Sequence, residues 1–274
     1  HPKLPFSYYT DMLSALREVA PQVHITAFTA VEIVHLARIS KRAVRKDFAG
    51  AVRAVFEDLI EAGLGSMPGG GAEVFDDRVH DEAFRGKIRS DEWLTVHRTA
   101  HELGLMTNAT MLYGHVESFE DRVHHLCMLR DEQDHARENN FKGHFQTIIP
   151  LPFFPDGSEL EHLPGPSGVD NLRMIAVARL MLDNFPHVKA FWIMQTLPMA
   201  QVMLDHGADD IDGTVVWYDI TKVGGSDTHQ EVSVSDLKRA IHEAGYTPVE
   251  RDTLYRRIQR DGPKWHLAKE PTAA

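Results

Sequence analysis

The chain has 274 residues, a hydrophobic content of 43% and a formal net charge of −11 at pH 7. This length and apolar content suffice for one large α/β domain or two small ones, and the acidic balance argues against a nucleic-acid partner bound by phosphate neutralisation. Because no apolar run is long enough to span a bilayer and no signal peptide is recognisable, we expect a cytoplasmic protein that has no membrane partner.

The first half of the chain alternates between helical and strand patterns. We predict helices at 6–19, 31–40, 43–62 and 90–103 from apolar residues at helical spacing, and strands at 23–28 and 107–114. The sequence Ala-Glu-Val-Phe at 72–75 is expected to open a helix, followed by a charged linker over 76–89. Ser118 and Asp121 form a capping box for the next long helix.

The second half continues the alternation. Strands are predicted at 145–153 and 188–194, and helices at 169–184, 199–205 and 235–244. A strand–helix period of roughly thirty to forty residues is typical of a parallel sheet or a β/α barrel, here with five or six strands. Because the chain opens on a helix, we predict an incomplete α/β barrel that lacks its first βαβ unit. It would occupy residues 1–258, with a C-terminal extension from about 215, before a polar, frayed tail at 259–274.

Cysteine and histidine give little support for metal or disulfide chemistry. The single cysteine, Cys127, permits neither an intrachain disulfide nor an all-cysteine metal site. His97 and His101 are four residues apart on a predicted helix, but without the zinc-protease pattern we expect a solvated helix face. His124 and His125 point in different directions on a helix, so we predict a surface position for this pair too.

The segment Ser66–Glu73 is the point around which the chain is organised. Its glycines, Gly69, Gly70 and Gly71, carry no Cβ atoms, so backbone N–H groups can approach an anionic or strongly polar ligand. It follows a short apolar segment at the expected carboxyl end of a strand, where ligands collect in α/β folds. A flexible surface turn is the structural alternative.

Several long motifs match a known family. They are residues 66–73, 98–105, 107–117 and 249–255, and together they resemble the aminofutalosine synthases, radical S-adenosylmethionine (SAM) enzymes of the futalosine route to menaquinone. The same group contains cyclic dehypoxanthine futalosine synthase and the deazaflavin-cofactor synthase subunits. Asn108 with the five residues after it, the segment 28–33 and the segment 219–225 are most similar to the aminofutalosine synthases.

The resemblance implies a (β/α) barrel that holds SAM and a [4Fe–4S] cluster, with an external electron donor. It implies a transferase reaction in which a deoxyadenosyl radical adds to the enol ether of 3-[(1-carboxyvinyl)oxy]benzoate, a small-molecule substrate, to give aminodeoxyfutalosine. The cluster motif C-x3-C-x2-C is absent from the chain. We interpret this as an N-terminal truncation and expect the fragment to be inactive.

Three alternative functions stay open. The first is a radical SAM enzyme similar to cyclic dehypoxanthine futalosine synthase, and the second is a degenerate, non-catalytic SAM-binding barrel. The third is a barrel hydrolase in which histidines and Asp212 hold a metal ion. Stoichiometric zinc bound without added iron and sulfide would indicate the hydrolase, and the gene sequence upstream of this chain separates a truncated enzyme from a degenerate barrel.

On this resemblance, six residues are predicted to form the SAM site: Ser66, Gly69, Gly70, Gly71, Glu73 and Arg78. The glycines would allow close approach of SAM, and the Glu73 carboxylate would accept hydrogen bonds from ribose hydroxyls. Glu73 is alternatively a carboxylate favoured by a helix N-terminus, and Arg78 a solvated surface charge.

The predicted catalytic residues are Asn108 and His115, and the predicted substrate-binding residues are Thr110, Tyr113, Glu117, Gln195 and Lys222. Asn108 and Thr110 share one face of a strand, and His115 lies just after its end, where a capping or core role is the alternative. A substrate with two carboxylates needs cations, for which Arg78, Arg98 and Lys222 are candidates unless they are surface charges.

Overall fold

A parallel β-sheet organises the chain in the computed structural model, which describes residues 3–215 and 231–268. Its strands are β1 (Ser66–Met67), β2 (Met106–Tyr113), β3 (Phe145–Pro152) and β4 (His187–Val188), adjacent in that order. Single parallel bridges add the segment at Thr26 beside Ser66 and the segment at Asp210 beside Lys189. The resulting six parallel segments agree with the predicted strand number.

Helices alternate with these strands along the chain. They are α1 (Phe6–Val19), α2 (Ala30–Ile39), α3 (Phe48–Glu61), α4 (Asp77–Ala83), α5 (Ser90–Glu102), α6 (Phe119–Glu138), α7 (Gly168–Met181), α8 (Trp192–Gln195), α9 (Leu197–Leu204) and α10 (Val234–Glu243). The predicted capping box at Ser118 and Asp121 is present at the start of α6. In the part of the chain that the structure describes, no helix has the length and apolar character to cross a bilayer.

The alternation along β2 defines two sides of the sheet. Thr107, Ala109, Met111 and Tyr113 are buried on the side that carries α5 and α6, which we call the helix-facing side. The intervening residues, which include Asn108 and Thr110, point to the opposite side, which we call the inner face. The helix-facing core is aromatic at its centre, where the rings of Trp93, Phe145 and Phe185 stack in sequence.

The C-terminal part of the chain returns to the inner face. The amide of Gln146 donates to the carbonyl of Thr253 (3.4 Å), and the Tyr255 hydroxyl donates to Asp210 Oδ2 (2.7 Å). Beyond this segment, β5 (Ile258–Asp261) and β6 (Lys264–Leu267) pair as an antiparallel hairpin. The prediction of a frayed tail from residue 259 was therefore wrong for the hairpin residues.

Three predicted elements differ from the structure. Glu73 has a left-handed φ of 44°, so no helix opens at 72–75, and α4 begins instead inside the predicted linker, capped by the Asp76 carboxylate. A strand was predicted at 188–194, but β4 ends at Val188 and residues 192–195 form α8. A short apolar run does not distinguish a strand from a buried helix. The predicted strand at 23–28 makes one bridge, at Thr26.

The expected surface positions of three histidines were also wrong. His97 and His101 are fully buried on the helix-facing side, where both rings contact the hydroxyl of Thr107, at 3.0 and 2.8 Å. His125 is fully buried as well, between the backbone N–H of Phe75 and the carbonyl of Thr110. The sheet covers these helix faces, so the imidazoles belong to the core. His124 is exposed, as predicted.

Candidate active site

The glycine segment and strand β2 lie side by side. After β1 ends, the Thr110 hydroxyl donates to the carbonyl of Gly69 (2.7 Å), and the N–H of Leu112 donates to the carbonyl of Glu73 (3.0 Å). Residues 69–73 therefore follow the carboxyl-terminal half of β2. This brings the predicted SAM-binding glycines next to the predicted inner-face residues Asn108 and Thr110.

The three glycines meet different surroundings. A Cβ on Gly69 would lie 2.6 Å from the carbonyl oxygen of Asn108, and one on Gly71, whose φ is +91°, would lie 2.5 Å from Val31 Cγ2. Packing and backbone conformation thus require glycine at both positions. Gly70 is partly exposed, and its Cβ would be 3.1 Å from Thr29 Cγ2. Gly70 is therefore the glycine of the three that is best placed to face a ligand.

The charged residues of the predicted SAM site already have partners. Glu73 pairs with Lys87, although its carboxylate keeps 18% exposure. Arg78 is 54% exposed on α4 and lies within ion-pair distance of Asp76, Glu82 and Asp121. A ligand that binds the Glu73 carboxylate would therefore compete with Lys87. The Arg78 guanidinium is partly exposed but already has carboxylate neighbours.

Ser66 is the first residue of β1, toward the amino end of the sheet. Its buried hydroxyl contacts His24 Nε2 (2.8 Å) and Thr26 Oγ1 (2.7 Å). Burial lowers the pKa of His24, against a smaller opposing effect of Asp252. Ser66 thus forms a polar group with His24 and Thr26, on the amino-terminal side of the glycine segment.

His115 and Glu117 form a compact loop after β2. The buried Glu117 carboxylate accepts hydrogen bonds from the N–H groups of Gly114 (2.5 Å) and His115 (2.9 Å) and pairs with Arg122. His115 Nε2 donates to the carbonyl of Leu112 (3.0 Å), and Nδ1 lies 3.1 Å from Glu117 Oε2. Burial lowers the pKa of His115. Glu117 holds the loop closed, and the arrangement matches the capping alternative for His115.

Two of the remaining predicted residues, Tyr113 and Gln195, are occupied elsewhere. Tyr113 lies on the helix-facing side and donates to Asn171 Oδ1 (2.7 Å). The amide of the buried Gln195 donates to the carbonyl of Pro150 (3.3 Å). Arg98, on α5, pairs with Glu132 on α6. Lys222 lies outside the described residues. Asn108 and Thr110 are thus the predicted residues that share the inner face with the glycine segment.

Sequence reasoning missed a charged cluster on the inner face. Lys189, Asp210, Asp212, Arg251 and Tyr255 converge there, and we call them the inner charge cluster. Burial tends to raise the pKa of Asp210, but Lys189 and Arg251 outweigh this effect and lower it to about 2. The signal that could have revealed the cluster was a lysine within the apolar run after β4, followed by two aspartates near the next bridge.

The chain's residues do not fit an iron–sulfur cluster. The cluster that the sequence resemblance implies needs three cysteine thiolates, and the chain contains only Cys127, which is exposed on α6. Within residues 3–215 and 231–268, no group of three histidine, cysteine or acidic side chains is arranged to hold a metal ion. The described residues thus offer no metal centre of the kind that the hydrolase alternative requires.

Known proteins similar to this chain share its sequence over most of its length. The aminodeoxyfutalosine synthase of Thermus thermophilus is 47% identical over 94% of this chain and 67% of that protein. The aminodeoxyfutalosine synthase of Streptomyces coelicolor is 40% identical over 96% of this chain and 67% of that protein. The chain belongs to the aminodeoxyfutalosine synthase family of radical SAM enzymes.

Two further matches agree with the family assignment. The CofH/MqnC C-terminal region matches residues 142–264, which in this aminodeoxyfutalosine synthase family member contain β3, β4 and the inner charge cluster. The crystal structure of methylornithine synthase superposes with a TM-score of 0.61 at 16% identity, over 89% of this chain and 64% of that one. This likeness concerns the fold alone, and it confirms an α/β architecture with a parallel sheet, consistent with an incomplete barrel.

Proposed function

We propose that this chain forms the barrel portion of an enzyme that makes aminodeoxyfutalosine from SAM and 3-[(1-carboxyvinyl)oxy]benzoate. The observation that carries the proposal is the 47% identity to an aminodeoxyfutalosine synthase across 94% of the chain. The structure supports it because the glycine segment and the inner-face residues of β2 adjoin one another, as a site for two joined substrates requires.

In this proposal, the two substrates lie at neighbouring places on the sheet. SAM binds along residues 69–73, with Gly70 facing it and Glu73 accepting hydrogen bonds from the ribose. The enolpyruvyl benzoate lies over Asn108 and Thr110 on the inner face. Because the reaction joins the two molecules, the protein's main task is to hold them in contact and to exclude water.

The radical chemistry comes from a [4Fe–4S] cluster reduced by an external electron donor, and this chain does not supply that cluster's ligands. The chain's own residues bind and orient the substrates. We therefore expect the isolated chain to bind SAM but to release no deoxyadenosine from it.

The test has a binding arm and an activity arm. Calorimetric titration of the chain with SAM should show binding that Gly70→Val weakens at least tenfold, while the matched change Gly86→Val, at a position open to solvent, leaves affinity unchanged. Gly86 has a positive φ, so the thermal unfolding temperature of this control must be measured with it. Equal SAM affinity in wild type and Gly70→Val would contradict the placement of SAM.

The activity arm uses a polypeptide that contains this chain together with a C-x3-C-x2-C segment, reconstituted anaerobically with iron and sulfide. Incubation with SAM, a reductant and 3-[(1-carboxyvinyl)oxy]benzoate should give aminodeoxyfutalosine and carbon dioxide. The CofH/MqnC match makes a cyclic dehypoxanthine futalosine synthase-like reaction the second candidate. Turnover of dehypoxanthine futalosine, with none of the enolpyruvyl benzoate, would favour that candidate.

A further inference from the structure

The inner charge cluster lies in the same row of the sheet as Thr110. Thr110 pairs with Ile149, and Lys189 follows the β4 residue that pairs with Ile148, so Lys189 is about 10 Å from Thr110 across two strand spacings. Asp210 bridges to Lys189 on the next parallel segment. The cluster is thus part of the surface over which we place the enolpyruvyl benzoate.

Asp210 is held firmly in this cluster. Its Oδ2 accepts hydrogen bonds from Arg251 (2.7 Å) and from the Tyr255 hydroxyl (2.7 Å), and it lies 3.5 Å from Lys189 Nζ. The guanidinium of Arg251 also stacks over the Tyr255 ring at 4.1 Å. This arrangement fixes the C-terminal segment on the sheet and neutralises one of the two cations.

Asp212 is held more loosely. Its carboxylate lies 3.3 Å from Lys189 Nζ and 3.8 Å from Arg251, and its short hydrogen bond is a local one, accepted from the N–H of the adjacent Gly213 (2.9 Å). The backbone of Asp212 has a positive φ of +71°. The Asp212 side chain is 28% exposed, whereas that of Lys189 is 8% exposed. The second positive charge of the cluster is therefore balanced by a carboxylate at the solvent side of the two cations.

The donors of the cluster exceed what the two aspartates use. Arg251 Nε is buried and has no hydrogen-bond partner among the described residues. Next to Lys189, the partly exposed side chains of Ile149 and Leu151 continue the inner face toward the carboxyl edge of the sheet. Two cations beside a short apolar strip suit an aromatic carboxylate.

We propose that Lys189 and Arg251 bind a carboxylate of the substrate in the position that Asp212 occupies in the ligand-free chain. The identity of the ligand rests on the function proposed above, whereas the anion site rests on the cluster itself. The charge of the cluster is conserved in the exchange, because one carboxylate enters as the Asp212 carboxylate moves into solvent.

The experiment is calorimetric titration of the chain with 3-[(1-carboxyvinyl)oxy]benzoate and, separately, with isophthalate as a simple aromatic dicarboxylate. Lys189→Met should weaken the binding of both compounds at least tenfold. Asp212→Asn should strengthen it severalfold, because the competing carboxylate is gone. The controls Lys46→Met and Asp205→Asn make the same charge changes at exposed positions outside the cluster and should leave both affinities unchanged.

The outcomes separate the two proposals. If Lys189→Met does not fold, as judged by circular dichroism, the Asp212→Asn result decides, and an affinity that is unchanged or lower overturns the anion site. Binding that is unaffected by Lys189→Met overturns the anion site but leaves the proposed function in place. Lys189-dependent binding of isophthalate alone supports the anion site and contradicts the proposed substrate. Wild-type chain that binds neither compound overturns the anion site.

Discussion

The two sides of the central sheet both bury polar side chains, but those on one side are neutral and those on the other side form ion pairs. On the helix-facing side, Thr107 joins His97 and His101 in a neutral group packed between α5 and the sheet. On the inner face, Lys189 and Arg251 both form ion pairs with Asp210. Both groups tie distant segments together, yet only the inner face holds a cation whose partner, Asp212, is loosely bound.

The difference shows how burial acts on groups with and without an ionic partner. Burial lowers the pKa of His101 to about 3 and that of His97 well below its usual value, since no carboxylate compensates for the lost water. For Arg251, burial acts in the same direction, but Asp210, Tyr255 and Asp212 together outweigh it and raise the pKa. We infer that the helix-facing group serves stability and the inner group serves binding.

The largest expected effect is acid destabilisation through the buried histidines. Their folded pKa values lie below the unfolded value of 6.5, so the unfolded chain takes up more protons and stability falls as the pH drops from 6.5 toward 3. Because the pKa of His101 and that of His125 are about 3, each histidine should lower the free energy of unfolding at pH 5 by about 2 kcal/mol, or about 4 kcal/mol together. Urea unfolding at pH 7.5 and pH 5 measures this loss.

A variant provides the control for the acid effect. His101→Gln removes one titrating group, so the difference in unfolding free energy between the two pH values should shrink by about 2 kcal/mol. Equal stability of the wild-type chain at pH 7.5 and pH 5 would show that these imidazoles are not held neutral, and the contrast between the two sides would fail.

The next effect distinguishes two neighbouring glycines. Gly69→Ala places a methyl group 2.6 Å from a strand carbonyl that cannot move aside, and should cost about 3 kcal/mol, the upper part of the range for overpacking. Gly70→Ala meets one side-chain methyl at 3.1 Å and should cost about 1 kcal/mol or less. Chemical denaturation of both variants measures the difference, and equal costs would contradict the assignment of distinct roles.

Two threonines on opposite sides of β2 give a matched comparison. Thr107→Val removes the hydroxyl shared by two buried imidazoles and should cost about 2 kcal/mol. Thr110→Val removes one hydrogen bond to Gly69 and should cost about 1 kcal/mol, while weakening ligand binding on the inner face. Denaturation curves and substrate titrations of both variants supply the numbers; weaker binding by Thr107→Val alone would reverse the two roles.

The smallest effect concerns Arg78. Because its side chain is 54% exposed and its ion pairs lie at the surface, Arg78→Met should change the unfolding free energy by less than about 1 kcal/mol. The same substitution should reduce SAM affinity if Arg78 belongs to the SAM site, as the sequence predicts. Calorimetry with SAM and a melting curve measure both quantities, and unchanged affinity would remove Arg78 from the site.

Periodicity and capping signals predicted most of the fold. The helices α1, α2 and α5 and the strands β2 and β3 start and end close to their predicted limits, and α6 starts at its predicted capping box, because apolar spacing and side-chain caps are local features. The helix start at Asp77 was missed because Glu73 adopts a left-handed conformation that sequence patterns do not indicate. His97 and His101 were misplaced because burial depends on what covers a helix face.

The candidate site was only partly predictable. The glycine segment and Asn108 were found through motif and alternation, and the structure places them together. Tyr113 was expected beside the substrate, but a residue at the end of a strand can point to either side of the sheet. Its hydroxyl donates to Asn171 on the helix-facing side. Arg251 lies 41 residues after Asp210 and 62 residues after Lys189 in the sequence. No local pattern reveals that the fold brings these three residues together.

We infer that ligands bind on the inner face of the sheet and at its carboxyl edge. Hydrogen–deuterium exchange of the chain, with and without SAM and 3-[(1-carboxyvinyl)oxy]benzoate, tests this most directly. We expect slower exchange within residues 69–73, 108–112 and 250–255 and no change in α5 and α6. Protection confined to α5 and α6, with residues 69–73 and 250–255 unaffected, would contradict it.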